Sequence, residues 1–137
     1  MMEATTTTTE TRPQPQEHTL VHFEIPAKDP EKVAKFYTQL FGWKFQKWQA
    51  PTDYWLISLK DAKENDTIGG LYPRENPKEQ YRNYFMVRSV DETLKNATSL
   101  GAKVVSGKQE IPNVGIMAIL EDPDGNVFAL FQPTGRM

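Results

Sequence analysis

The first regular pattern in the chain is an alternation of apolar and polar residues over Val21–Pro26. Side chains in a strand have a period of two, so the three apolar residues of this segment lie on one face. His22 and Glu24 share the other face. We expect the apolar face to pack on a core, and the face with His22 and Glu24 to carry chemistry or to meet water.

A helical pattern follows this strand. Asp29 is an N-cap candidate and Pro30 suits the first helical position, whereas Gly42 is placed to end a helix in a left-handed conformation. Between these ends, apolar residues recur at helical spacing: Val33, Phe36, Tyr37, Leu40 and Phe41. We therefore predict that the whole stripe is buried against the sheet, and that Phe36→Ala costs about 2–5 kcal/mol of stability.

The second half of the chain repeats this plan. A β-prone run over Tyr81–Val87 precedes a capping box at 89–92, and an apolar series at helical spacing follows over Val90–Leu100. Three further strands are predicted behind each helix, at 44–48, 54–59 and 67–72, and at 103–105, 115–120 and 127–132. In one of them Trp55, Ile57 and Leu59 share an apolar face that we expect in the core. The fold class is therefore α+β, with two β-α-β-β-β modules at about 18–73 and 80–133.

Composition indicates one modest domain with short tails. The 137 residues, 38% of them hydrophobic and 11% aromatic, can supply one core. A net charge of -2 gives no reason to expect nucleic acid or a membrane as partner, and no apolar run approaches membrane-spanning length. Residues 1–17, with five consecutive Thr, are predicted to be a disordered tail, and 134–137 a short C-terminal tail. The absence of Cys removes thiol chemistry and fits a cytoplasmic location.

Several segments carry a family resemblance: residues 22–30, 36–43, 87–91 and 100–104, and the Asp-Pro-Asp-Gly-Asn turn at 122–126. Together they resemble the vicinal-oxygen-chelate superfamily, which contains glyoxalase I, bleomycin-resistance proteins and extradiol dioxygenases. The resemblance covers about residues 18–133. It implies that the two modules form one cup-shaped mixed sheet with the helices on its convex side. One such scaffold hosts several chemistries, so function has to be argued from the site.

In the metal-dependent members, each module supplies one metal ligand from its first strand and one from its last, usually His or Glu. The resemblance places these positions at His22, Gly70, Arg82 and Ala129. Only His22 keeps a ligand, and a catalytic zinc site needs about three. A guanidinium cannot ligate a cation, so we expect no metal and no other cofactor. A site rebuilt with Glu24, Glu110 or Glu121 stays open as an alternative.

Three classes of function remain. The leading hypothesis is a glyoxalase- or bleomycin-resistance-like protein that binds or sequesters a small apolar or aromatic molecule. Ala129 in place of a ligand carboxylate would widen and dry the cup for it. The alternative is a lyase, isomerase or dioxygenase-like enzyme, with a rebuilt metal site or with His22 and Glu24 as a metal-free acid–base pair. A protein that uses its fold only for interactions is the third reading.

The residues predicted to line the cup come from the strand patterns and the resemblance. They are His22, Glu24, Arg82, Tyr84, Ala129 and Phe131. Arg82 is expected to meet an anionic group of the ligand. Because Glu24 lies on the face away from the helices, we expect its substitution to cost much less stability than Phe36→Ala. The expected partners are a small molecule and, as in many similar proteins, a second copy of the chain in a homodimer.

Overall fold

The computed structural model describes residues 16–49, 52–63 and 66–134 of the chain. These residues form the following elements: β1 (Leu20–Ala27), α1 (Pro30–Phe41), β2 (Lys44–Lys47), β3 (Trp55–Ser58), β4 (Thr67–Pro73), β5 (Arg82–Met86), α2 (Val90–Ser99), β6 (Lys103–Ile111), β7 (Gly115–Glu121) and β8 (Val127–Pro133). The predicted α+β class and the repeated β-α-β-β-β order are confirmed. Most of the predicted tails, residues 1–15 and 135–137, lie outside the described residues.

All eight strands belong to one mixed sheet in the order β2-β3-β4-β1-β5-β8-β7-β6. Within each module the first and last strands pair in parallel, β1 with β4 and β5 with β8. The modules join through β1 and β5, which pair antiparallel. The first strand of one module is thus the direct neighbour of the first strand of the other, at the centre of the sheet.

Local capping signals set the ends of the helices as predicted. The Asp29 side chain accepts a hydrogen bond of 3.3 Å from the backbone N–H of Lys32, at the start of α1. Gly42 ends α1 with φ of 76°, a left-handed conformation that favours glycine, and its N–H donates to the carbonyl of Thr38. Ser89 caps α2 by accepting a bond of 3.1 Å from the N–H of Glu92. Neither helix in the described part of the chain is long and apolar enough to cross a membrane.

Two separate apolar cores lie where the helices pack on the sheet. The core of the first module is built on the buried residues Ile25, Ala27, Ile57 and Leu71. The core of the second is built on Val87, Val90, Ala118, Leu120 and Leu130. Because alternate residues of β1 enter the first core, His22 and Glu24 are left on the opposite, concave face of the sheet.

The prediction that the whole apolar stripe of α1 is buried is wrong. Phe36 is 56% exposed, Leu40 57% and Phe41 53%, whereas Val33 and Tyr37 pack on the first core. Residues in a helix advance by about 100° each, so Phe36 lies roughly 100° away from the centre of the packed side. The strands β4, β1 and β2 cover only a narrow side of the helix, and Phe36 falls outside it.

Three further sequence expectations are corrected. Leu59 is 51% exposed, because β3 ends at Ser58 and the alternation does not reach it. Leu100 is 78% exposed, because it lies at the C-cap, beyond the last turn that packs on the sheet. The β6 strand runs to Ile111, well past the predicted end at 105. It is an edge strand with mostly exposed residues, so no apolar alternation marks its length.

Candidate functional site

The pairing of β1 with β5 brings the predicted polar residues of the two modules together. His22 lies opposite Tyr84 in this ladder, and Glu24 lies opposite Arg82. Side chains directly opposite each other on one face of an antiparallel pair interact closely. The centre of the concave face therefore carries an imidazole, a carboxylate, a guanidinium and a phenol side by side.

Glu24 is the most densely bonded residue of this face. It is 8% exposed, and its carboxylate accepts four hydrogen bonds. Oε1 accepts from Arg82 Nη2 at 2.9 Å, from Arg82 Nε at 3.2 Å and from the Tyr84 phenol at 2.8 Å. Oε2 accepts from the Tyr54 phenol at 2.8 Å. A buried carboxylate is tolerated when it is paired and hydrogen-bonded in this way.

Arg82 belongs to the same ion pair, and its side chain is 18% exposed. Burial on its own would lower the pKa of Arg82. Tyr84 and the Glu24 carboxylate outweigh burial and raise the pKa above its ordinary value, so the guanidinium stays charged. Its positive charge also lies over the ring of Tyr72, 5.5 Å from the ring centre. Arg82, which was predicted to bind an anionic group of the ligand, therefore uses its Nε–Nη2 edge to bind Glu24.

A chain of hydrogen bonds connects His22 to the same carboxylate. His22 Nε2 lies 2.9 Å from the Tyr54 phenol oxygen, and that phenol donates its only proton to Glu24. The phenol can then only accept from His22, so Nε2 carries the proton and Nδ1 has a lone pair. Burial lowers the pKa of His22 and the charge of Glu24 opposes this, with burial the larger effect, so the imidazole is neutral at neutral pH.

Tyr54 occupies the space in front of Gly70. A Cβ atom on Gly70 would overlap the oxygen and ring carbons of the Tyr54 phenol. Glycine at this position of β4 thus lets a ring reach across from the residue just before β3 to Glu24 on β1. The position at which the resemblance implies a metal ligand is covered by a phenol from a neighbouring strand.

All three phenols near Glu24 are donors at neutral pH. Burial, followed by the negative charge of Glu24, raises the pKa of both Tyr54 and Tyr84 well above the ordinary value. Burial also raises the pKa of Tyr72 to about 12, although the charge of Arg82 opposes the shift. Tyr72 donates to Glu79 at 3.3 Å, and Arg82 Nη2 lies 3.5 Å from its oxygen.

The predicted residues of β8 lie beside this network. Ala129 is opposite Tyr84 in the β5–β8 ladder and is fully buried. Phe131 lies two residues further along the same strand and is partly buried, with its ring against Gly115, where a Cβ would lie 2.7 Å from Phe131 Cε1. Ala129 is thus the strand neighbour of Tyr84, the residue whose phenol donates to Glu24.

The donors at the four family positions do not fit a metal ion. His22 Nε2 is bonded to Tyr54, Arg82 is paired with Glu24, and the remaining two positions are glycine and alanine. Within residues 16–49, 52–63 and 66–134, no three His, Asp or Glu side chains come together in a group that could hold a metal. Neither Glu110 nor Glu121 completes a metal site with Glu24.

Tyr54 was missed by the sequence reasoning, although a signal existed. The alternation that places Trp55 and Ile57 in the core also places Tyr54 on the opposite face, next to the cup.

A separate groove of about 540 Å³ lies at the far edge of the first module, lined by residues such as Trp43, Lys44, Phe45 and Ser58. It contains none of the predicted site residues, so the concave face remains the candidate site.

The fold and this face define a class: a protein with paired β-α-β-β-β modules that meet along their first strands over a shared concave site. The chain belongs to the glyoxalase/bleomycin resistance protein/dioxygenase superfamily, whose family model matches residues 19–130. The resemblance inferred from the sequence motifs is thereby confirmed.

Known relatives agree with this assignment. A glyoxylase-like domain-containing protein of Didymella fabae is 31% identical over 122 residues, which cover 82% of this chain and 92% of that protein. CFP32 of Mycobacterium bovis, named as a candidate glyoxylase, is 28% identical over 119 residues. The match covers 84% of this chain but only 44% of CFP32, so the chain spans less than half the length of that relative.

Solved structures share the fold at low sequence identity. A hypothetical protein from Bacillus halodurans superposes with a TM-score of 0.68 at 13% identity, covering 89% of this chain and 99% of its own. Methylmalonyl-CoA epimerase from Mycobacterium tuberculosis gives a TM-score of 0.63 at 13% identity, covering 85% and 88%. At such identity the likeness concerns the fold alone.

Proposed function

We propose that this protein is a metal-independent member of the superfamily that binds a small aromatic or apolar molecule on its concave face. The proposal rests on the side chains that contact the family's metal-ligand positions in this protein. Arg82 is paired with Glu24 at 2.9 Å, and Tyr54 lies against Gly70. Two of the four positions thus contact protein groups instead of offering ligands to an ion.

The chemistry of the face favours a ligand that is mostly uncharged. The charges of Glu24 and Arg82 compensate each other. A charged ligand group would therefore be stabilised less here than beside an unpaired arginine. The rings of Tyr54, Tyr72 and Phe131 supply apolar area, and the phenols and His22 supply a few oriented polar groups. Small-molecule sites combine these features, apolar walls with few well-placed polar groups.

A metal-independent enzyme is the second candidate. The observation that favours it is the chain from Glu24 through Tyr54 to His22, which orients a neutral imidazole on the concave face. An imidazole held in this way can accept a proton from a bound molecule. The glyoxylase names of the Didymella and Mycobacterium relatives are consistent with a lyase or isomerase reaction.

A thermal-shift screen tests the binding proposal. A ligand present at 100 times its dissociation constant stabilises a fold by about 2.7 kcal/mol, which raises the melting temperature of a domain this size by several degrees. We expect small aromatic compounds to give such shifts, and Ala129→Glu to reduce them by placing a carboxylate beside the buried network. Val127→Glu, at a 45% exposed position of the same strand, is the matched control.

Two further measurements decide between the candidates. Elemental analysis of the protein purified without a tag should find far less than one equivalent of Zn, Ni, Fe or Mn, and chelation should leave its melting temperature unchanged. Turnover of a bound compound that disappears in His22→Ala would favour the enzyme. A stoichiometric metal that is lost in His22→Ala would contradict metal independence, and shifts unaffected by Ala129→Glu would place the ligand elsewhere.

A further inference from the structure

Arg82 has donors that the network leaves free. Its guanidinium has five N–H groups, and the hydrogen bonds to Glu24 and Tyr72 use only Nε and Nη2. Among the described residues, none accepts a hydrogen bond from Nη1. The ion pair with Glu24 holds the plane of the guanidinium, so the two N–H groups of Nη1 have a fixed direction on a side chain that is 18% exposed.

His22 has a complementary free atom. Because Tyr54 requires the proton on Nε2, Nδ1 is left as an acceptor with a lone pair. No residue in the described part of the chain donates a hydrogen bond to it. The edge of the Tyr84 ring, 5.5 Å away between ring centres and at 81° to the imidazole, restricts how the ring can turn. An acceptor and a pair of donors are thus both pre-oriented by Glu24.

The register of β1 and β5 sets how far apart these groups lie. His22 is opposite Tyr84 and Glu24 is opposite Arg82, so His22 and Arg82 form a diagonal pair on the same face. Diagonal neighbours in an antiparallel ladder have Cα atoms about 7–8 Å apart. A molecule about one aromatic ring wide can therefore reach both groups.

We propose that the concave face recognises a small molecule with a hydroxyl or N–H group at one end and a carbonyl or carboxylate oxygen at the other. In this arrangement His22 Nδ1 accepts from the first group and Arg82 Nη1 donates to the second. Tyr54 is a positioning residue, because its phenol fixes the tautomer and the direction of the His22 ring. The ligand assignment rests on the proposed binding function, whereas the arrangement of His22 and Tyr54 does not.

The positioning role is tested by nitrogen NMR of the ligand-free protein. At about pH 8.5, some two units above the ordinary pKa of histidine, the His22 proton should be on Nε2 and should exchange slowly with water. In Tyr54→Phe we expect faster exchange and a larger population of the Nδ1–H tautomer. Tyr81→Phe, which removes a phenol bonded to Tyr37 away from this face, should leave both observables unchanged. A proton found on Nδ1 in the unmodified protein, or no change in Tyr54→Phe, would overturn the inference.

The ligand assignment is tested with three probes of equal ring size. 4-Hydroxybenzoate offers both groups, 4-methylbenzoate lacks the donor, and 4-methylphenol lacks the carboxylate. We expect 4-hydroxybenzoate to bind about 2- to 10-fold more tightly than either of the others, the range of one net hydrogen bond.

Two variants separate the contributions. His22→Phe keeps a planar ring but has no acceptor atom in place of Nδ1, so it should remove only the advantage of the hydroxyl group. Arg82→Lys keeps a cation for Glu24 but lacks Nη1, so it should remove only the advantage of the carboxylate. Probes that bind with preferences unchanged in both variants would refute this recognition and leave the binding function standing. If none of the three binds, the proposed binding of small aromatics fails as well.

Discussion

Glu24 accepts four hydrogen bonds although it lies on the face of β1 turned away from the apolar core. Its side chain is 10% exposed and that of Arg82 is 18% exposed, so each charge depends on the other for its stability in the folded state. Removing one member of a buried pair leaves an uncompensated charge. We therefore expect substitution of Glu24 to be strongly destabilising, which is the opposite of the prediction made from the sequence.

We expect Glu24→Ala to lower the free energy of unfolding by about 3–5 kcal/mol, measured by urea denaturation. Adding Arg82→Ala should cost less than the sum of the two single changes, because the double variant has no unpaired charge. The control is Asp53→Ala, which breaks an exposed ion pair with Lys47. This change should lower the free energy of unfolding by only about 0–1 kcal/mol. Equal losses in Glu24→Ala and Asp53→Ala would show that the pair is solvated.

Features that depend on residues close together in the sequence could be predicted, whereas a contact between residues far apart in the sequence could not. The shared face of His22 and Glu24 follows from the period of two alone. The contact between Tyr54 and Glu24 joins residues 30 positions apart. It exists because β4 lies between β3 and β1 in the sheet, and because Gly70 on β4 leaves room for the ring. The sequence could place Tyr54 on the correct face but not across the neighbouring strand, since no local signal specifies strand order.

At the scale of elements, helix ends were predictable and helix orientation was not. The caps at Asp29, Gly42 and Ser89 form from residues within a few positions of each other, so local sequence determines them. The side of α1 that packs depends on how the helix crosses β4, β1 and β2. Five apolar residues at helical spacing define a broad stripe, and the sheet covers only the part around Val33 and Tyr37.

The exposure of Phe36 gives a test of this orientation. Phe36→Ala should lower the free energy of unfolding by less than about 1 kcal/mol, because a 56% exposed ring gains little from burial. Ile57→Ala, at a fully buried position of the first core, should cost about 2–5 kcal/mol. Denaturation curves of the two variants with equal slopes give the comparison. A loss for Phe36→Ala as large as that for Ile57→Ala would mean that another surface covers this side of α1.

At the scale of the whole molecule, the duplication explains where the site forms. Each module has its own apolar core and its own helix, and the modules meet through β1 and β5. The polar faces of these two strands come together at the centre of the sheet, away from both cores. The β-α-β-β-β repeat could be predicted from the sequence, and the family resemblance implied that His22 and Arg82 meet near one site. The ion pair that fills the site depends on the observed strand register.

The partly buried His22 imidazole at this junction makes the stability of the whole fold depend on pH. The folded-state pKa of His22 is lower than its ordinary value of about 6.5. The unfolded chain therefore binds more protons in the interval between the two values, and stability falls as the pH decreases below about 6.5. Tyr54 and Tyr84 contact the ring, and the charge of Glu24 opposes the shift. In urea denaturation between about pH 7 and pH 5, we expect His22→Gln to flatten this decrease. His18→Gln, which replaces an imidazole that is 75% exposed, is the control. An unchanged pH slope in His22→Gln would show that the ring is hydrated in solution and would remove the basis for a neutral imidazole at the site.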